Sequence, residues 1–516
     1  MDTPTIEAQP VSVFTKLHFQ KSKSSVLTSK ADGMKAEIEA AKPEDSPPEV
    51  FTLKDEEVDE SKAKTGTQYL AAAIASLTGV MMGQMLSWSS PVTPLLIKEG
   101  KIDKIEESWL VSILNFGAVL GCTAAGSVNS YVGRKSVLLT ACLPQMASWL
   151  LLALCSDIRL LCLGRFLGGL CVGFFCVTSP LYISEIAQVS VRGALGALFQ
   201  LSVTIGILTT YTLGLLPTAT SITLASSSTV VLFFALFFWM PETPVFLLRT
   251  SQSNRAAASL RWFRGPAYNL IPEMRLLERM VQKADSAAAY SDFVTDPASR
   301  RALVVALGLF FFQQFSGINA VVFYMNTVFR TAGGDVSPTV ATIVIAALQV
   351  VGTALSVLLM ERAGRRFLFL ASFSACTLCV FALGLFFFLK ERGHPVAGPW
   401  QWVPLGSVGL FLVVYALGAG PVPWAVVGEL FSKRMAALAM SLVTGVGHWA
   451  SAFVVTKAFA MLEAWLGIGG TFWVFVGFCL VGIVFAWALL PETKGRPLQE
   501  ILDELGGKKK GVKSET

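Results

Sequence analysis

The stretch ALVVALGLFFFQQFSGINAVVFYMNTV, residues 302–328, is mostly apolar and carries no charged residue. A helix of this length rises about 1.5 Å per residue and crosses the ~30 Å of hydrocarbon in a bilayer. An unpaired amide in hydrocarbon costs roughly 2–7 kcal/mol, yet the stretch contains Gln313, Gln314 and Asn319. It therefore predicts a membrane-spanning helix whose amides have a defined partner, either a ligand or another helix.

Apolar runs of similar length recur along the chain. Twelve can be placed, at about 69–97, 108–130, 136–155, 158–180, 193–216, 221–240, 302–328, 338–360, 367–389, 402–427, 436–461 and 470–490. Only 15% of the 516 residues are charged, whereas soluble proteins average about 25%. Strands of a membrane barrel are about 10 residues long with alternating polarity, unlike these runs. The sequence predicts an all-α membrane protein with twelve transmembrane helices.

The polar segments divide the chain into five parts. Residues 1–68 are rich in Lys, Glu, Ser, Pro and Thr, without the apolar core of a signal peptide, and predict a disordered cytosolic tail. Residues 69–240 and 302–490 are two six-helix bundles, joined by a cytosolic central loop with short helices at 241–301 and followed by a cytosolic tail at 491–516.

The distribution of Lys and Arg predicts the orientation. If both termini face the cytosol, the cytosolic loops and the C-terminal tail hold 23 of these residues and the opposite loops hold 7. Positive charge accumulates on the cytosolic side of membrane proteins, so both termini are expected there. The net charge of +6 reflects this topology, and no basic patch interleaved with aromatic residues suggests nucleic acid.

Punctuation motifs repeat between the two halves. The pairs are VGRK at 132–135 with AGRR at 363–366, SEI at 184–186 with GEL at 428–430, and PETP at 241–244 with PETKG at 491–495. Their offsets of 231, 244 and 250 residues change little and keep the same order. The pattern predicts a duplicated six-helix unit, the plan by which transporters expose one central site alternately to the two sides.

Charged residues cluster at the predicted cytosolic ends of the helices. The set is Arg134, Glu185, Arg192, Glu361, Arg365, Arg366 and Glu429. We expect these charges to pair across helices and between halves, and so to close the cytosolic face in one state. Interfacial anchoring is the alternative, but it explains only the basic residues and not the acids at repeat-related positions.

Six motifs together resemble the sugar porters of the major facilitator superfamily. They are RFLGGLCVG, PLYISEIAQVSVRGALG, QQFSGINAVVFY, ERAGRR, GPVPWAVVGELF and PETKGRPLQEI, in order within about 69–500. The chain is similar to facilitative glucose transporters and most similar to insect-type facilitated trehalose/hexose transporters. The resemblance implies a major facilitator fold and facilitative transport of a hexose or trehalose.

The resemblance also implies the sugar ligands. They are Gln200 in the fifth span, Gln313, Gln314 and Asn319 in the seventh, Gln349 in the eighth and Trp424 in the tenth. Amides offer both donors and acceptors to sugar hydroxyls, although hydrogen bonding between helices is the alternative use. A hinge in the tenth span is expected at Gly418, Gly420, Pro421 and Pro423, which interrupt the helix ladder.

Several positions depart from the family pattern. Ser130 and Tyr131 stand where the family has Asp and Arg, Val245 replaces an arginine, and His448 replaces an asparagine. These changes thin the expected charge network of the first half. They leave a sugar sensor that binds without transporting as an alternative to a transporter.

Proton coupling is not expected. In proton-coupled relatives an aspartate on the first span faces an arginine on the fourth, but here Arg165 is present and the first span, 69–97, has no acid. A symporter that uses His448 is the alternative. Since the nine cysteines all lie in apolar runs and no phosphate-binding loop occurs, we expect no metal, cofactor, ATP or enzymatic activity. A monomer in the plasma membrane, with a sugar and the lipid bilayer as its partners, is expected.

Overall fold

The computed structural model describes residues 63–284, 292–332, 337–394, 398–431, 433–496 and 498–506. All regular secondary structure within these ranges is helical, and the chain from Val58 onward forms one compact unit. The predicted disorder of the N-terminal tail concerns residues 1–62, outside the described residues. The end of the C-terminal tail, from residue 507, lies outside them as well.

The first half contains six membrane spans close to the predicted runs. Span 1 comprises Gly66–Ser87 and Ser89–Lys98, and spans 2 to 6 are Lys104–Val132, Arg134–Leu154, Ile158–Ile186, Arg192–Leu213 and Ala219–Phe237. Local sequence signals begin two of them. Asp103 and Glu106 form a capping box at the start of span 2, and Asp157 caps span 4. Such caps satisfy the free N–H groups of the first turn.

The central loop folds into short helices, as predicted. They are Pro244–Arg249, Ser253–Arg264, Leu270–Ala284 and Asp292–Thr295. Arg264 anchors this loop to the first half, because its guanidinium donates to the carbonyl of Ile186 at 2.7 Å and pairs with Glu273 at 2.7 Å. The backbone N–H of Lys64, just before span 1, donates to the carbonyl of Arg264 at 2.8 Å. The loop therefore joins the ends of spans 1 and 4.

The second half repeats the six-span plan with more interruptions. Span 7 comprises Pro297–Phe315 and Ile318–Ala332, spans 8 and 9 are Pro338–Ala363 and Arg365–Glu391, and span 10 comprises Val403–Val414, the π-helical turn Tyr415–Ala419 and Pro421–Leu430. Span 11 comprises Lys433–Leu442 and the π-helical Val443–Ala450 and continues into the helix Ser451–Leu489, which also contains span 12. A last helix, Leu498–Gly506, packs against span 7, where Arg301 donates to the carbonyl of Leu505 at 2.6 Å.

Spans 11 and 12 are continuous in the chain but are separate crossings. The described part of the chain has 11 helices long and apolar enough to cross a membrane, and the last of them runs for 52 residues from Leu438 to Leu489. Gly467 breaks it, with φ of 73°. The carboxylate of Glu391 accepts from the N–H of Ile468 at 2.7 Å and so caps span 12. The prediction of twelve helices agrees with this division.

Exposed tryptophans mark both ends of the bundle. Trp239 and Trp487 lie at the end that carries the central loop, here called the loop face. Trp400 and Trp465 lie at the opposite end, here called the far face. Tryptophan is enriched where a membrane meets water, so these side chains bracket the buried thickness. The two halves meet mainly where span 2 contacts span 11, span 5 contacts span 8 and span 1 contacts the second segment of span 7.

Candidate functional site

Span 7 breaks directly after its two glutamines. Gly317 has φ of +87°, a conformation that side chains disfavour, and a Cβ there would lie 2.6 Å from Cδ2 of Phe475. The hydroxyl of Ser316 donates to the carbonyl of Gln313 at 2.7 Å. The break leaves Gln313 and Gln314 at the end of one helical segment and Asn319 in the first turn of the next.

Gln313 holds the break in span 10. Its side-chain Nε2 donates to the carbonyls of Ala419 at 2.8 Å and Gly420 at 2.9 Å. These carbonyls lie at the end of the π-helical turn, where the regular ladder is interrupted. Gln313 is fully buried and both of its N–H groups are used. The structure thus gives this predicted sugar ligand a contact between helices.

Gln314 connects span 7 to span 11. Its Nε2 lies 2.8 Å from Nδ1 of His448 and 3.2 Å from Oε1 of Gln313, and its Oε1 accepts from Nδ2 of Asn319 at 2.7 Å. All of these contacts are satisfied when His448 is neutral with its proton on Nε2, so that Nδ1 accepts. We call Gln313, Gln314, Asn319 and His448 the amide cluster.

An aromatic wall adjoins the amide cluster. The ring of Trp424 lies 4.8 Å from that of Phe310 and 5.4 Å from that of His448, and Trp449 packs edge-on against His448 at 4.7 Å. Phe310 and Trp449 are fully buried, whereas Trp424 and His448 are half-buried. Trp424 thus keeps part of its surface accessible beside the cluster.

The hydrogen bonds separate structural groups from available groups. Gln313 and Gln314 use all of their amide hydrogens within the protein. Asn319 is half-buried and forms one side-chain hydrogen bond, through Nδ2, so its Oδ1 and one N–H stay available. His448 keeps Nε2 available. These groups and the ring of Trp424 are the parts of the cluster that a neutral polar ligand can contact.

The two remaining predicted ligands lie on the pair of helices where the halves meet, spans 5 and 8. Gln349 on span 8 is 5% exposed, and its Oε1 has no hydrogen-bond partner in the described structure. Gln200 on span 5 is half-buried. No hydrogen bond joins either side chain to the amide cluster among the described residues. An orphaned buried amide oxygen is costly, and this makes Gln349 a candidate contact for a bound ligand.

The predicted hinge in span 10 coincides with an observed break. A Cβ at Gly418 would lie 2.5 Å from the carbonyl oxygen of Leu368, so this glycine permits close packing against span 9. The hydroxyl of Ser372 accepts from the N–H of Ala419 at 2.8 Å. Gly420 follows the π-helical turn, and Pro421 and Pro423 begin the next helical segment. Bending at this break remains a prediction.

Two ion pairs at the loop face obey the repeat. Arg134 pairs with Glu185 at 2.7 Å in the first half, and Arg365 pairs with Glu429 at 2.8 Å in the second. Each arginine also donates from Nη1 to a carbonyl before its helix, at 3.0 Å in the first half and 3.2 Å in the second. The duplication predicted from the sequence is therefore visible in individual hydrogen bonds.

Two further glutamates complete these networks, and the selection of charged site residues missed them. Glu242 accepts from the N–H of Lys135 at 3.0 Å and so caps span 3. Glu492 accepts from the N–H of Arg365 at 3.0 Å and of Arg366 at 3.2 Å and caps span 9. Burial raises the pKa of Glu242. Burial also acts to raise the pKa of Glu492, but hydrogen bonds from four backbone N–H groups outweigh it and lower that pKa. The repeated PET motif was the signal for both residues.

Both ion pairs lie within a single half. Arg192 is exposed and donates to the carbonyl of Ala187 at 3.3 Å, and the guanidinium of Arg366 donates to the carbonyl of Trp487. The side chain of Glu361 lies outside the described residues. The expected pairing between halves is therefore not seen among the charges that the structure describes.

Neutral groups join the halves near the far face. The N–H of Asn326, in the second segment of span 7, donates to the hydroxyl of Ser90 at 3.2 Å. The hydroxyl of Tyr211 donates to the carbonyl of Val322 at 2.8 Å. The segment that begins with Asn319 thus packs against the first half at the far face.

Arg165 is buried without an acidic partner in the described structure. Its side chain donates to the carbonyls of Met85 at 2.6 Å and Leu110 at 3.2 Å, and it lies 5.3 Å from the ring of Trp88. Carbonyls and an aromatic ring thus surround it, as the sequence predicts for an arginine that faces no acid on span 1.

The comparisons with known proteins agree in kind. The family model described as "Sugar (and other) transporter" matches residues 50–505. The facilitated trehalose transporter Tret1 of Anopheles gambiae is 31% identical over 97% of this chain and 65% of its own length, and Tret1 of Polypedilum vanderplanki is 32% identical over 87% and 90%. The chain spans only 53% of Tret1 of Drosophila yakuba.

A solved structure has the same fold. The proton:xylose symporter XylE bound to 6-bromo-6-deoxy-D-glucose superimposes with a TM-score of 0.70 over 85% of this chain and 99% of that one. The sequence identity is 20%, so this likeness concerns the fold alone.

Proposed function

The chain belongs to the sugar transporter family of the major facilitator superfamily, and on this premise we propose that it moves a neutral sugar across a membrane by alternating access. The proposed substrate is a hexose or trehalose, because the insect relatives are named facilitated trehalose transporters. No bond is made or broken, and neither ATP nor a proton drives the movement. The protein acts as a monomer in the plasma membrane with both termini in the cytosol.

The amide cluster beside Trp424 is the observation that supports this proposal most strongly. Sugar hydroxyls each donate and accept hydrogen bonds, and the cluster offers Oδ1 and an N–H of Asn319 together with Nε2 of His448. The half-buried ring of Trp424 suits the C–H face of a sugar ring. The cluster is neutral, and a neutral site releases its ligand more easily than a charged one.

Binding can be coupled to movement through the break in span 7. Asn319 belongs to the segment Ile318–Ala332, and it donates to Gln314 across the break. The same segment contacts Ser90 and Tyr211 of the first half near the far face. A sugar that binds Asn319 therefore favours one position of this segment over another. A ligand shifts such an equilibrium only by its difference in affinity for the two states.

Uniport is proposed because the protein lacks an acid beside Arg165. Its guanidinium contacts carbonyls of Met85 and Leu110. A coupled proton needs a group that titrates in the cavity. His448 already accepts from Gln314 as a neutral ring, and a proton on Nδ1 would break this hydrogen bond.

Counterflow in proteoliposomes tests the proposal. Vesicles that contain the purified full-length protein and unlabelled sugar are mixed with labelled trehalose or glucose, and transient exchange is expected for at least one of them. Exchange should be unaffected by a protonophore. Saturable binding without exchange would replace the transporter with a sugar sensor. Accumulation that collapses with the proton gradient would indicate a symporter and make His448 the first residue to mutate.

A further inference from the structure

A cleft at the loop face lies outside the amide cluster and the ion pairs. It has a volume of about 610 Å³ and lies between the start of span 3, the link after span 6 and the helices Pro244–Arg249 and Ser253–Arg264. Val132, Phe246 and Trp262 form an apolar wall, and Lys135, Arg255 and Glu242 are its charged lining residues. Transport through the centre of the bundle gives this cleft no role.

The charges of the cleft favour an anion. Both carboxylate oxygens of Glu242 accept backbone N–H groups, from Lys135 at 3.0 Å and from Thr243 at 2.9 Å. The ammonium of Lys135 donates to the carbonyl of Phe238 at 2.8 Å, which leaves two of its three hydrogens available. Arg255 is exposed and contacts the side-chain oxygen of Gln252 alone. Neither cation forms an ion pair with a described acid.

The backbone adds to the positive potential. The helix Ser253–Arg264 begins at the cleft, and the preceding Gln252 makes no side-chain capping bond. The first N–H groups of a helix and its dipole attract anions. Two cations with spare donors, an uncapped helix start and an enclosed volume therefore meet in one place.

The position of the cleft relates it to the membrane surface. Phe238 and Trp239 follow the end of span 6 and are 53% and 78% exposed. The ammonium of Lys135 lies 5.7 Å from the centre of the Phe238 ring. Exposed tryptophan lies at the level of lipid headgroups, so a headgroup phosphate can reach the cleft from the bilayer.

We propose that this cleft binds the phosphate group of an anionic ligand between Lys135 and Arg255. The phosphate accepts hydrogen bonds from both side chains, and the rest of the ligand lies against the apolar wall near Trp262. The phosphate belongs to the headgroup of a lipid in the adjoining leaflet or to a soluble phosphate ester. The level of the cleft favours the lipid.

Native mass spectrometry of the purified full-length protein tests the site, with phosphatidic acid as the lipid probe and phosphatidylcholine as its zwitterionic control. Inorganic phosphate and ATP, titrated by calorimetry, are the soluble probes. Arg255→Gln and Lys135→Gln are each expected to weaken binding about tenfold, because each removes a charge-assisted hydrogen bond. Arg261→Gln, on the same helix but outside the cleft lining, should leave binding unchanged.

The two sources give different results. Binding of phosphatidic acid that depends on Arg255 assigns the phosphate to a lipid, and binding of ATP or inorganic phosphate that depends on Arg255 assigns it to a soluble ester. An equal loss in Arg261→Gln, or no binding of any phosphate probe, would overturn the proposal. Arg255→Gln is decisive even if Lys135→Gln misfolds, because Arg255 is exposed. These readouts do not involve transport, so they stand apart from the proposed function.

Discussion

Replacing Gln313 by alanine should damage the fold more than it damages sugar recognition. The amide of Gln313 supplies the side-chain donor to the carbonyls of Ala419 and Gly420, at 2.8 and 2.9 Å, and all three residues are buried. A buried polar group left without a partner costs about 1–3 kcal/mol. Two such carbonyls predict a loss of about 2–6 kcal/mol, a large part of the ~5–15 kcal/mol that stabilises a typical domain.

Asn319→Ala is the matched comparison. It removes one hydrogen bond, at 2.7 Å to Gln314, from a half-buried side chain. The expected stability loss is about 0.5–1.5 kcal/mol. Sugar affinity should nevertheless fall about tenfold or more, because a sugar hydroxyl loses its partner.

Thermal unfolding in detergent, followed by size-exclusion fluorescence, measures the first effect, and the concentration dependence of counterflow measures the second. We expect Gln313→Ala to lower the unfolding temperature and the yield strongly, with Asn319→Ala near the wild type. If Gln313→Ala unfolds like the wild type and loses only sugar affinity, its amide faces the substrate and the assignment made here is wrong.

Three further outcomes follow from the geometry. Arg134→Ala should destabilise the protein by about 3 kcal/mol and Arg365→Ala by about 1 kcal/mol in thermal unfolding, because the first pair is 8% and 10% exposed and the second 18% and 29%; equal losses would refute this order. Gly317→Ala should cost at least about 1–2 kcal/mol because of its positive φ, whereas Gly428→Ala, with nothing near its Cβ, should be neutral. The lowered pKa of Glu492 stabilises the fold above its ordinary value near 4.5, and this contribution is lost as the pH falls; Glu492→Gln should therefore flatten the acid side of the pH–stability curve, and an unchanged curve would contradict the assignment.

Hydropathy and the repeated motifs were sufficient to predict the helices. Apolar runs report the thickness of the membrane directly, so their ends agreed within a few residues with spans such as Lys104–Val132. The division of the helix after Leu438 was also predictable, because polarity falls and rises again around Gly467. The order of the PET and GR motifs predicted the duplication, and the paired ion pairs display it.

Side-chain partners were less predictable. The sequence identifies Gln313 as a costly polar residue in a membrane helix, but it does not reveal that the carbonyls of a π-helical turn more than a hundred residues later consume its donors. Likewise, the charges at the helix ends predict ion pairs without telling whether these join two halves or one. Long-range geometry decides both questions, and amino-acid type is silent on it.

The closure of each charge network within its own half affects the energy of opening. Arg134 with Glu185 and Arg365 with Glu429 remain paired whichever way the halves move, and the caps on spans 3 and 9 move with them. Among the described residues, separating the halves at the loop face therefore breaks no ion pair. Its cost is limited to apolar contacts and a few neutral hydrogen bonds, such as that of Ser441 with Cys122. Two access states can then lie within a few kcal/mol of each other, a difference that the binding of one uncharged molecule is able to reverse.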